Sequence, residues 1–481
     1  MKVMFHISCR PLRRILSTTS SSSSQSQRRL STTSKTTSTT IISDYTPYLS
    51  EVSLARQPSA IRKLMPLTKQ LGMVSLGGGM PNPTLFPFQS FEMTIEMPQQ
   101  STIPSETNGN DNNNYKKKLI LEGDELQEAL QYSPTPGLPR LRQQLMELQR
   151  RNHGSKGDNA CWDVTVTCGS QDGLCKAFEM LLNPQRDDTL FLENPTYSGA
   201  LAFLHPFGVK LTPVATDEYG MIPEALTDAL ELESSSRKQS RHRRRRRKVL
   251  YTIPTAQNPS GSTLPNSRRE HIYQIAQRHD MIILEDDPYY FLHPNRSNLT
   301  SFLQLDIDGR VIRFDSLSKL ISSGIRIGWA TANSKLLERF NYHIQATNLH
   351  NSGISQLLVQ KLLDEWNIDG LDQHVQKVAE FYVERGQVLA HAAERHLKGL
   401  AKWNIPEAGM FLWFQLLGID DTKTLIETKA AEANVLLVPG QAFSPLNQPS
   451  SYARASFSTA SNEEMDLAME RLAKLIQSEK K

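Results

Sequence analysis

Short apolar runs alternate with segments of helical spacing through the middle of the chain. Runs with the length of buried strands occur at residues 164–167, 189–192, 209–214, 248–253, 281–284, 311–314 and 327–330. Segments with apolar positions at helical spacing lie between several of them, at residues 173–182, 197–207 and 268–279. Strands separated by helices favour parallel βαβ units, so the pattern predicts an α/β fold with helices on both faces of a sheet.

The pattern is different on either side of this region. Helical spacing is found before it at residues 48–63 and 138–151, and after it in a long stretch at 356–396. Two short predicted strands, at 410–415 and 435–439, and a final predicted helix at 463–478 complete the chain. Because helices and strands no longer alternate regularly from about residue 351 onward, we predict a second, smaller α+β domain in this C-terminal part.

The first 40 residues contain arginines, a long Ser/Thr tract and no Asp or Glu. This composition is typical of a mitochondrial transit peptide, and an ordinary disordered tail is the alternative. We therefore predict that residues 1–43 are a targeting or disordered segment of a mitochondrial matrix protein. A cytoplasmic location is the other possibility.

Two internal segments interrupt the regular pattern. Residues 99–118 are polar and rich in Asn, which favours a flexible insertion. Residues 231–248 contain the run RKQSRHRRRRRK, whose like charges repel one another and favour a solvated loop. Contact of this run with RNA or with an acidic membrane is the alternative interpretation.

Composition excludes several classes of protein. The formal net charge is +4, but residues 1–40 hold seven Lys/Arg and residues 237–248 hold nine more, so the remainder is acidic. Nucleic acid is therefore a poor candidate for the main partner. No apolar run reaches 18 residues, so no membrane span is expected. Four cysteines without a C-x2-C pair predict neither a disulfide framework nor a zinc site, and no metal is expected.

The most informative stretch is DSLSKLISSGIRIG at residues 315–328, which lies between two predicted strands. A lysine at a strand end, surrounded by apolar neighbours, can be desolvated enough to lose its proton and form a Schiff base with an aldehyde. The hydroxyls of Ser316 and Ser318 and the guanidinium of Arg326 suit a phosphate dianion. Lys319 with these residues therefore indicates pyridoxal 5′-phosphate. A surface loop with a solvated lysine is the alternative.

Other polar residues also follow predicted strands, where ligands of parallel sheets bind. Ser170 and Gln171 open a helix whose N–H groups could hold an anion, or they form a simple capping turn. Tyr197 could stack on a cofactor ring or belong to the core. The amide of Asn258 could donate to the phenolic oxygen of the cofactor, although the surrounding N-P-S-G is also good turn chemistry.

The segment EDDPY at 285–289 carries the carboxylate of greatest interest. A buried carboxylate beside the ring nitrogen favours its protonated form, and we choose Asp286 for this role. Tyr289 is expected to reach the phenolic oxygen. A metal site or general acid–base catalysis is the alternative for paired carboxylates, but no His or further acid clusters nearby. Arg454 could bind a substrate carboxylate through its two-pronged guanidinium, or form a surface ion pair.

Taken together these motifs resemble class I and II aminotransferases of fold type I, in particular the mitochondrial kynurenine/2-aminoadipate aminotransferase group. The resemblance extends from about residue 44 to residue 476. It is carried by ordered motifs that include GGGMPNPTLFPF, LQYSPTPGLPRL, CGSQDGLCKAFEMLLNP, ENPTYSGAL, EDDPYYFL, DSLSKLISSGIRIGW, PEAGMFLW and YARASFS.

The resemblance implies a role for each site residue. Lys319 would hold pyridoxal phosphate and move the substrate proton. The phosphate would be bound by Ser170, Gln171, Ser316, Ser318 and Arg326, while Tyr197 stacks on the ring. Asp286 would bind the ring nitrogen, Asn258 and Tyr289 the phenolic oxygen, and Arg454 with Asn258 the substrate α-carboxylate. The side-chain pocket would be lined by Arg62, Gly79 and Tyr132, with Tyr132 reaching across a homodimer interface.

The resemblance also implies the architecture and the reaction. The large domain, residues 94–345, would contain a mostly parallel seven-stranded sheet between helices. The smaller α+β domain would consist of an N-terminal arm, residues 44–93, and residues 346–481. The reaction would be a ping-pong transfer of the amino group of 2-aminoadipate, kynurenine or a related large L-amino acid to 2-oxoglutarate. A mainly aromatic or branched-chain specificity, or a β-lyase or decarboxylase that shares Lys319 and Asp286, is the alternative.

Overall fold

The computed structural model describes residues 41–59, 70–73, 79–98, 116–154, 161–237 and 246–479. Several predictions therefore lie outside the described residues. These are the targeting segment up to residue 40, the end of the predicted helix at 60–63, the pocket residue Arg62, residues 99–115 of the first insertion and residues 238–245 of the arginine run.

The fold of the described residues is built mainly from β-strands and α-helices. The strands β1 to β14 are Ser90–Glu96, Lys116–Glu122, Trp162–Thr167, Thr189–Asn194, Lys210–Asp217, Gly220–Met221, Lys248–Thr252, Ile282–Asp286, Val311–Ser316, Gly328–Asn333, Ala401–Lys402, Phe411–Leu416, Val438–Pro439 and Tyr452–Ser456. The α-helices α1 to α12 are Glu51–Ala55, Gly123–Leu130, Pro139–His153, Gly169–Leu181, Ser198–Phe207, Pro223–Arg237, Asn266–Arg278, Phe302–Leu305, Ser334–Thr347, Gly353–Leu397, Thr422–Thr424 and Asn462–Glu479.

The large sheet has the strand order β3-β10-β9-β8-β7-β4-β5-β6. The run from β9 through β8, β7 and β4 to β5 is parallel, whereas β10 is antiparallel to both of its neighbours. The chain reverses between β9 and β10 because only a short loop, without a crossover helix, joins them. The predicted mostly parallel α/β sheet is confirmed, and the two-residue β6 adds an eighth strand to the expected seven.

Both faces of the large sheet are buried. On β4 the side chains of Leu190 and Leu192 join one apolar cluster with helix α4, while Phe191 joins a second cluster with helices α6 and α7. Successive side chains of a strand point to opposite faces, so continuous apolar runs are required where helices cover both sides. This explains why the predicted strands are uniformly apolar rather than alternating.

The small sheet is antiparallel and has the order β11-β12-β14-β13. One face of β12, formed by Leu412, Phe414 and Leu416, packs with apolar residues of α10 and α12. The opposite face of the same strands carries Arg454, which points toward the large sheet and hydrogen-bonds Asn258 there. The strands β11 to β14 of this sheet and the helix α12 lie in the C-terminal part of the chain, residues 401–479.

The long predicted helix at 356–396 is interrupted. Within α10, Asn367 has φ 50° and ψ −171°, so two helical parts meet at a break. The Oδ1 atom of Asn367 accepts hydrogen bonds from the backbone N–H groups of Asp369 and Gly370, at 2.8 and 3.1 Å. This is the capping geometry of a helix start, which is why the second part begins there.

Other predicted elements are shorter than expected. Within its described part, residues 48–59, the predicted helix at 48–63 is α-helical over α1, and the chain is extended at Arg56 shortly before Pro58. Residues before a proline disfavour the helical region, which explains the early end. The predicted strand at 435–439 is reduced to β13.

The two predicted insertions are also more ordered at one end than expected. Residues 116–118 were expected to be irregular, but they belong to β2 and pair with β1 in a two-stranded antiparallel sheet. Lys118 forms an ion pair with Glu92 across it at 2.8 Å, so its charge is accommodated on the exposed face. Residues 231–237 were expected to lie in a loop, but they continue helix α6. Of the helices that the structure describes, none is long and apolar enough to span a membrane.

Candidate active site

Most predicted site residues lie at one edge of the large sheet. Asp286 is the last residue of β8, and Lys319 ends the 3-10 turn Leu317–Lys319 directly after β9. Tyr197 and Asn258 lie in the segments that follow β4 and β7, and Ser170 lies in the first turn of α4, after β3. These strands run in the same direction, so their carboxyl ends meet at this edge.

The Asp286 carboxyl group is almost completely buried, with 2 % of the residue exposed. Its Oδ2 atom accepts a hydrogen bond from the Tyr251 hydroxyl at 3.0 Å, and its Oδ1 atom is buried without a partner in the described structure. Burial raises the pKa of Asp286 to about 7, and the nearby charges of Asp287 and Asp315 act in the same direction. An unpartnered carboxylate oxygen in such a place fits the N–H of a protonated ring.

A group of buried charges lies beside Asp286. Arg313 is fully buried, and its guanidinium lies 3.0 Å from both Glu285 Oε1 and Asp287 Oδ2 and 2.9 Å from Asp315 Oδ1. The arginine partly compensates three carboxylates, which could not otherwise be buried together. Sequence reasoning missed this group. The available signal was three consecutive acids at the end of a buried strand, since such a run needs a buried cation nearby.

Lys319 is half-buried at the carboxyl end of β9. Burial lowers the pKa of its amine, and the positive charges of Arg326 and Arg454 lower it further. Each effect disfavours the ammonium form, so a larger fraction of the amine is neutral than in a solvated lysine. The position and the shift together suit a nucleophilic amine.

Arg326 connects two parts of the candidate phosphate site. It has φ 53°, and its guanidinium donates to Ser318 Oγ at 3.2 Å and to the carbonyl oxygens of Ser323 and Cys168 at 3.1 and 3.0 Å. A Cβ atom on Gly169, which has φ 76°, would lie 2.4 Å from Arg326 Nη2. An added Cβ would therefore displace the guanidinium, and the positive φ of this residue itself favours glycine.

The remaining predicted phosphate ligands lie around this arginine. Ser316 is buried and its Oγ atom accepts from the Ser318 N–H at 3.2 Å. Ser170 and Gln171 occupy the first turn of α4, where unpaired backbone N–H groups and the helix dipole favour an anion. The Gln171 amide donates to the Gly199 carbonyl at 2.9 Å, which ties this turn to the start of α5.

Tyr197 lies over the beginning of α5. A Cβ atom on Gly199 would lie 2.3 Å from Cζ of the Tyr197 ring, so the ring rests directly on this glycine. Burial raises the pKa of the Tyr197 hydroxyl, and the Asp286 charge raises it further. The ring is therefore close enough to Asp286 to belong to the same site.

Asn258, Tyr289 and Arg454 form the opposite wall. Arg454 Nη1 donates to Asn258 Oδ1 at 2.8 Å, and its guanidinium lies over the Phe411 ring at 4.2 Å from the centroid. Burial raises the pKa of Tyr289, whereas its hydrogen bond with Asn258 opposes the increase. A cation held between a flat aromatic ring and an amide is well placed to take a carboxylate.

The predicted side-chain pocket is not assembled within the described residues. Tyr132 is 46 % exposed and contacts the His350 ring edge-on at 5.9 Å. A Cβ atom on Gly79 would meet nothing within 4 Å. Arg62 lies outside the described residues, so these three assignments stay predictions.

The residues present fit pyridoxal phosphate. A lysine with a lowered pKa suits its aldehyde, the turn around Gly169 and Arg326 suits its phosphate, and Asp286 Oδ1 suits its ring nitrogen. These groups lie at or after the ends of different strands but meet at one edge of the large sheet, so one ligand could contact them all.

Comparison with known proteins gives one consistent picture. The family model described as "Aminotransferase class I and II" matches residues 108–472. The mitochondrial kynurenine/alpha-aminoadipate aminotransferase of Rattus norvegicus is 41% identical over 441 residues, which cover 90% of this chain and 99% of the relative.

Solved structures agree with this comparison. The aminotransferase Aro8 of Candida albicans has a TM-score of 0.77 at 28% identity and covers 92% of this chain and 99% of its own. The kynurenine aminotransferase of Pyrococcus horikoshii, solved in complex with PMP, has a TM-score of 0.67 at 29% identity, with the same coverage.

Proposed function

The chain belongs to the class I and II aminotransferase family and is a pyridoxal-phosphate-dependent aminotransferase, and from this premise we propose its reaction. It transfers the amino group of 2-aminoadipate, kynurenine or a related large L-amino acid to 2-oxoglutarate in a ping-pong cycle. The observation that carries the proposal is the buried Asp286, whose Oδ1 atom lacks a partner at the strand edge that also holds Lys319. Bound pyridoxal phosphate supplies the electron sink that makes the substrate Cα–H bond acidic.

Lys319 is the proposed catalytic residue. The lowered pKa of Lys319 favours the neutral amine, which can take the proton from the substrate Cα and deliver it to the cofactor. Asp286 is proposed to hold the positive charge of the ring nitrogen, and Asn258 and Tyr289 to contact the phenolic oxygen. The buried setting of Asp286 makes its charge act strongly, because little water screens it.

Arg454 is the proposed anchor for the substrate α-carboxylate. One Nη group already donates to Asn258, which fixes the guanidinium plane, and the remaining donors can take a carboxylate. Since amino donor and oxo acceptor both carry this carboxylate, the same anchor serves both halves of the cycle. Arg62, Gly79 and Tyr132 are proposed to contact the substrate side chain, and they would decide between 2-aminoadipate, kynurenine and an aromatic or branched-chain donor.

We also propose a homodimer whose partner receives Tyr132 at its active site. The N-terminal arm supports this proposal because it exposes large apolar side chains, including Leu71, Met80, Leu85 and Phe88. Apolar surface of this kind is typical of interaction sites. The proposed domain division assigns residues 94–345 to the large domain and 44–93 with 346–481 to the small one. The eight-stranded sheet lies in the first range and the four-stranded sheet in the last, whereas β1, Ser90–Glu96, crosses the boundary at residue 93.

The proposed location is the mitochondrial matrix. The name of the rat relative assigns that protein to mitochondria. The Arg-rich, acid-free composition of the first 40 residues supports the same location for this chain. A fluorescent protein fused to residues 1–43 should enter mitochondria, and a diffuse cytoplasmic signal would contradict this assignment.

The central experiment is spectroscopic. Wild type, Lys319→Ala and the surface control Lys398→Ala would be purified with added pyridoxal phosphate. In wild type and the control, 2-aminoadipate or kynurenine should remove the long-wavelength cofactor band, and 2-oxoglutarate should restore it. Lys319→Ala should show neither change. A wild-type band that no amino acid removes would refute the proposed donors, and a band that 2-oxoglutarate does not restore would refute the proposed acceptor.

A further inference from the structure

Tyr251 is a buried tyrosine beneath the candidate cofactor site that the proposed reaction does not yet use. It lies on β7, is fully buried, and packs edge-on against Phe178 with ring centroids 5.7 Å apart. Its hydroxyl donates to Asp286 Oδ2 at 3.0 Å. A ring held on β7, opposite Leu284 of β8, can keep its hydroxyl in one place.

The hydrogen bond divides the two oxygens of the Asp286 carboxylate. Oδ2 is occupied by Tyr251, whereas Oδ1 is buried and has no partner in the described structure. A phenol can act as donor only while it is protonated. Burial raises the pKa of Tyr251 well above its ordinary value, and the Asp286 charge raises it further, so the hydroxyl keeps its proton under physiological conditions.

The other charged groups around Asp286 do not provide this contact. The guanidinium of Arg313 is directed to Glu285, Asp287 and Asp315. The hydroxyls of Tyr197 and Tyr289, which were assigned above to the cofactor site, feel the Asp286 charge, and it raises the pKa of each. Tyr251 is therefore the group whose hydrogen bond holds Oδ2 of the Asp286 carboxylate.

We propose that Tyr251 is a positioning residue that holds Asp286 Oδ2 and thereby presents Oδ1 to the ring nitrogen of pyridoxal phosphate. This inference rests on the proposed role of Asp286. Without the hydroxyl, the buried carboxylate loses a hydrogen bond that favours its charged form and a constraint on its rotation. The protonated ring would then be held less tightly.

The matched control is Tyr273→Phe. Tyr273 is also buried, and its hydroxyl lies within hydrogen-bond distance of two carboxylates, Asp306 at 3.1 Å and Asp308 at 2.8 Å. These acids precede β9, so they lie at the opposite edge of the sheet from the candidate site. Tyr273→Phe removes the same kind of buried hydroxyl without touching Asp286.

The test measures the cofactor rather than turnover. Holoenzymes of wild type, Tyr251→Phe and Tyr273→Phe would be prepared with ¹⁵N-labelled pyridoxal phosphate, and the ring-nitrogen resonance and the cofactor Kd recorded at neutral pH. Tyr251→Phe should move the resonance toward the unprotonated position and raise the Kd about tenfold, the loss expected of one hydrogen bond to a charged group. Tyr273→Phe should change neither. An unchanged resonance and Kd in Tyr251→Phe, or equal changes in both variants, would overturn the inference.

Two further variants separate the possible failures. Asp286→Asn should move the resonance more than Tyr251→Phe. If Asp286→Asn leaves it unchanged, the assignment of Asp286 itself is wrong; if only Tyr251→Phe leaves it unchanged, the inference alone fails. Should Tyr251→Phe not fold, fluorotyrosine at position 251 keeps the ring and the hydroxyl but alters its donor strength. A ring-nitrogen resonance insensitive to this replacement would also overturn the inference.

Discussion

Arg454 of the small sheet donates a hydrogen bond to Asn258, in the segment that follows strand β7 of the large sheet, at 2.8 Å. This contact joins the residue proposed to bind the substrate carboxylate to a residue proposed to contact the cofactor. The geometry of one group is therefore coupled to that of the other, and a change at Arg454 should be felt by every substrate that carries an α-carboxylate.

Replacing Arg454 with Lys keeps the charge but removes the planar two-pronged donor. We expect kcat/KM to fall by about 10- to 100-fold for both the amino donor and the oxo acceptor, as lost charge-assisted hydrogen bonds predict. Steady-state kinetics with 2-aminoadipate and 2-oxoglutarate would measure this. Arg268→Lys is the control, because Arg268 makes a two-pronged pair of bonds to Asp217, at 2.6 Å each, and Asp217 is not one of the predicted site residues. Equal losses in both variants would argue against a substrate role for Arg454.

Gly169 provides a second test. Alanine there is expected to displace Arg326, because its Cβ atom would lie 2.4 Å from Nη2, and the cofactor should be retained less well. Gly208→Ala is a matched control, since Gly208 has φ 75°, close to the 76° of Gly169, but a Cβ there would meet nothing within 4 Å. Both variants should lose about 1 kcal/mol of stability through backbone strain. Only Gly169→Ala should release pyridoxal phosphate more readily on dialysis, and equal retention would refute the proposed phosphate site.

Much of this arrangement follows from the sequence by elementary rules. Apolar runs separated by helical spacing predicted the parallel sheet, and polar residues directly after those runs predicted that Lys319 and Asp286 would share an edge. This reasoning works because strand ends of a parallel sheet are brought together by topology alone.

Other features depend on contacts between distant residues and could not be predicted. Tyr251 is part of an apolar run and has the pattern of a core residue, and its role depends on which atom its hydroxyl meets across two strands. The break at Asn367 was hidden because apolar spacing continues on both sides of it. The pairing of Lys116–Glu122 with β1 was hidden because three lysines resemble a solvated loop.

The buried charge of Asp286 predicts a pH dependence of the stability of the cofactor-free protein. Its pKa of about 7 in the folded protein lies above the ordinary value of 3.8, so the folded state binds more protons between these values and this group makes folding less favourable as the pH rises. Asp286→Asn should therefore raise the free energy of unfolding of the cofactor-free protein at pH 8 by about 2–4 kcal/mol, as the size of the pKa shift implies. The gain should vanish near pH 4.

Urea denaturation of the cofactor-free protein from about pH 4 to 8 would measure this difference. Asp420→Asn is the control, because Asp420 is exposed and should give a difference close to zero throughout. A stability gain that is independent of pH, or a loss at pH 8, would show that burial of the Asp286 charge does not govern the stability of the empty site.

Arg313 is expected to be the most sensitive position beneath the site. It is fully buried and faces three carboxylates, so Arg313→Met leaves Glu285, Asp287 and Asp315 without their cation. Removing one partner of a buried ion pair costs about 3–5 kcal/mol, because the buried charge left behind cannot reach water. By the same argument the loss should be smaller at low pH, where Asp287, whose pKa is raised by burial, can be protonated. Arg151→Met removes a more exposed arginine that also pairs with two acids, Asp369 and Asp372, and should cost less than about 1 kcal/mol. Denaturation curves of both variants decide the matter, since similar losses would mean that Arg313 contributes packing rather than charge compensation.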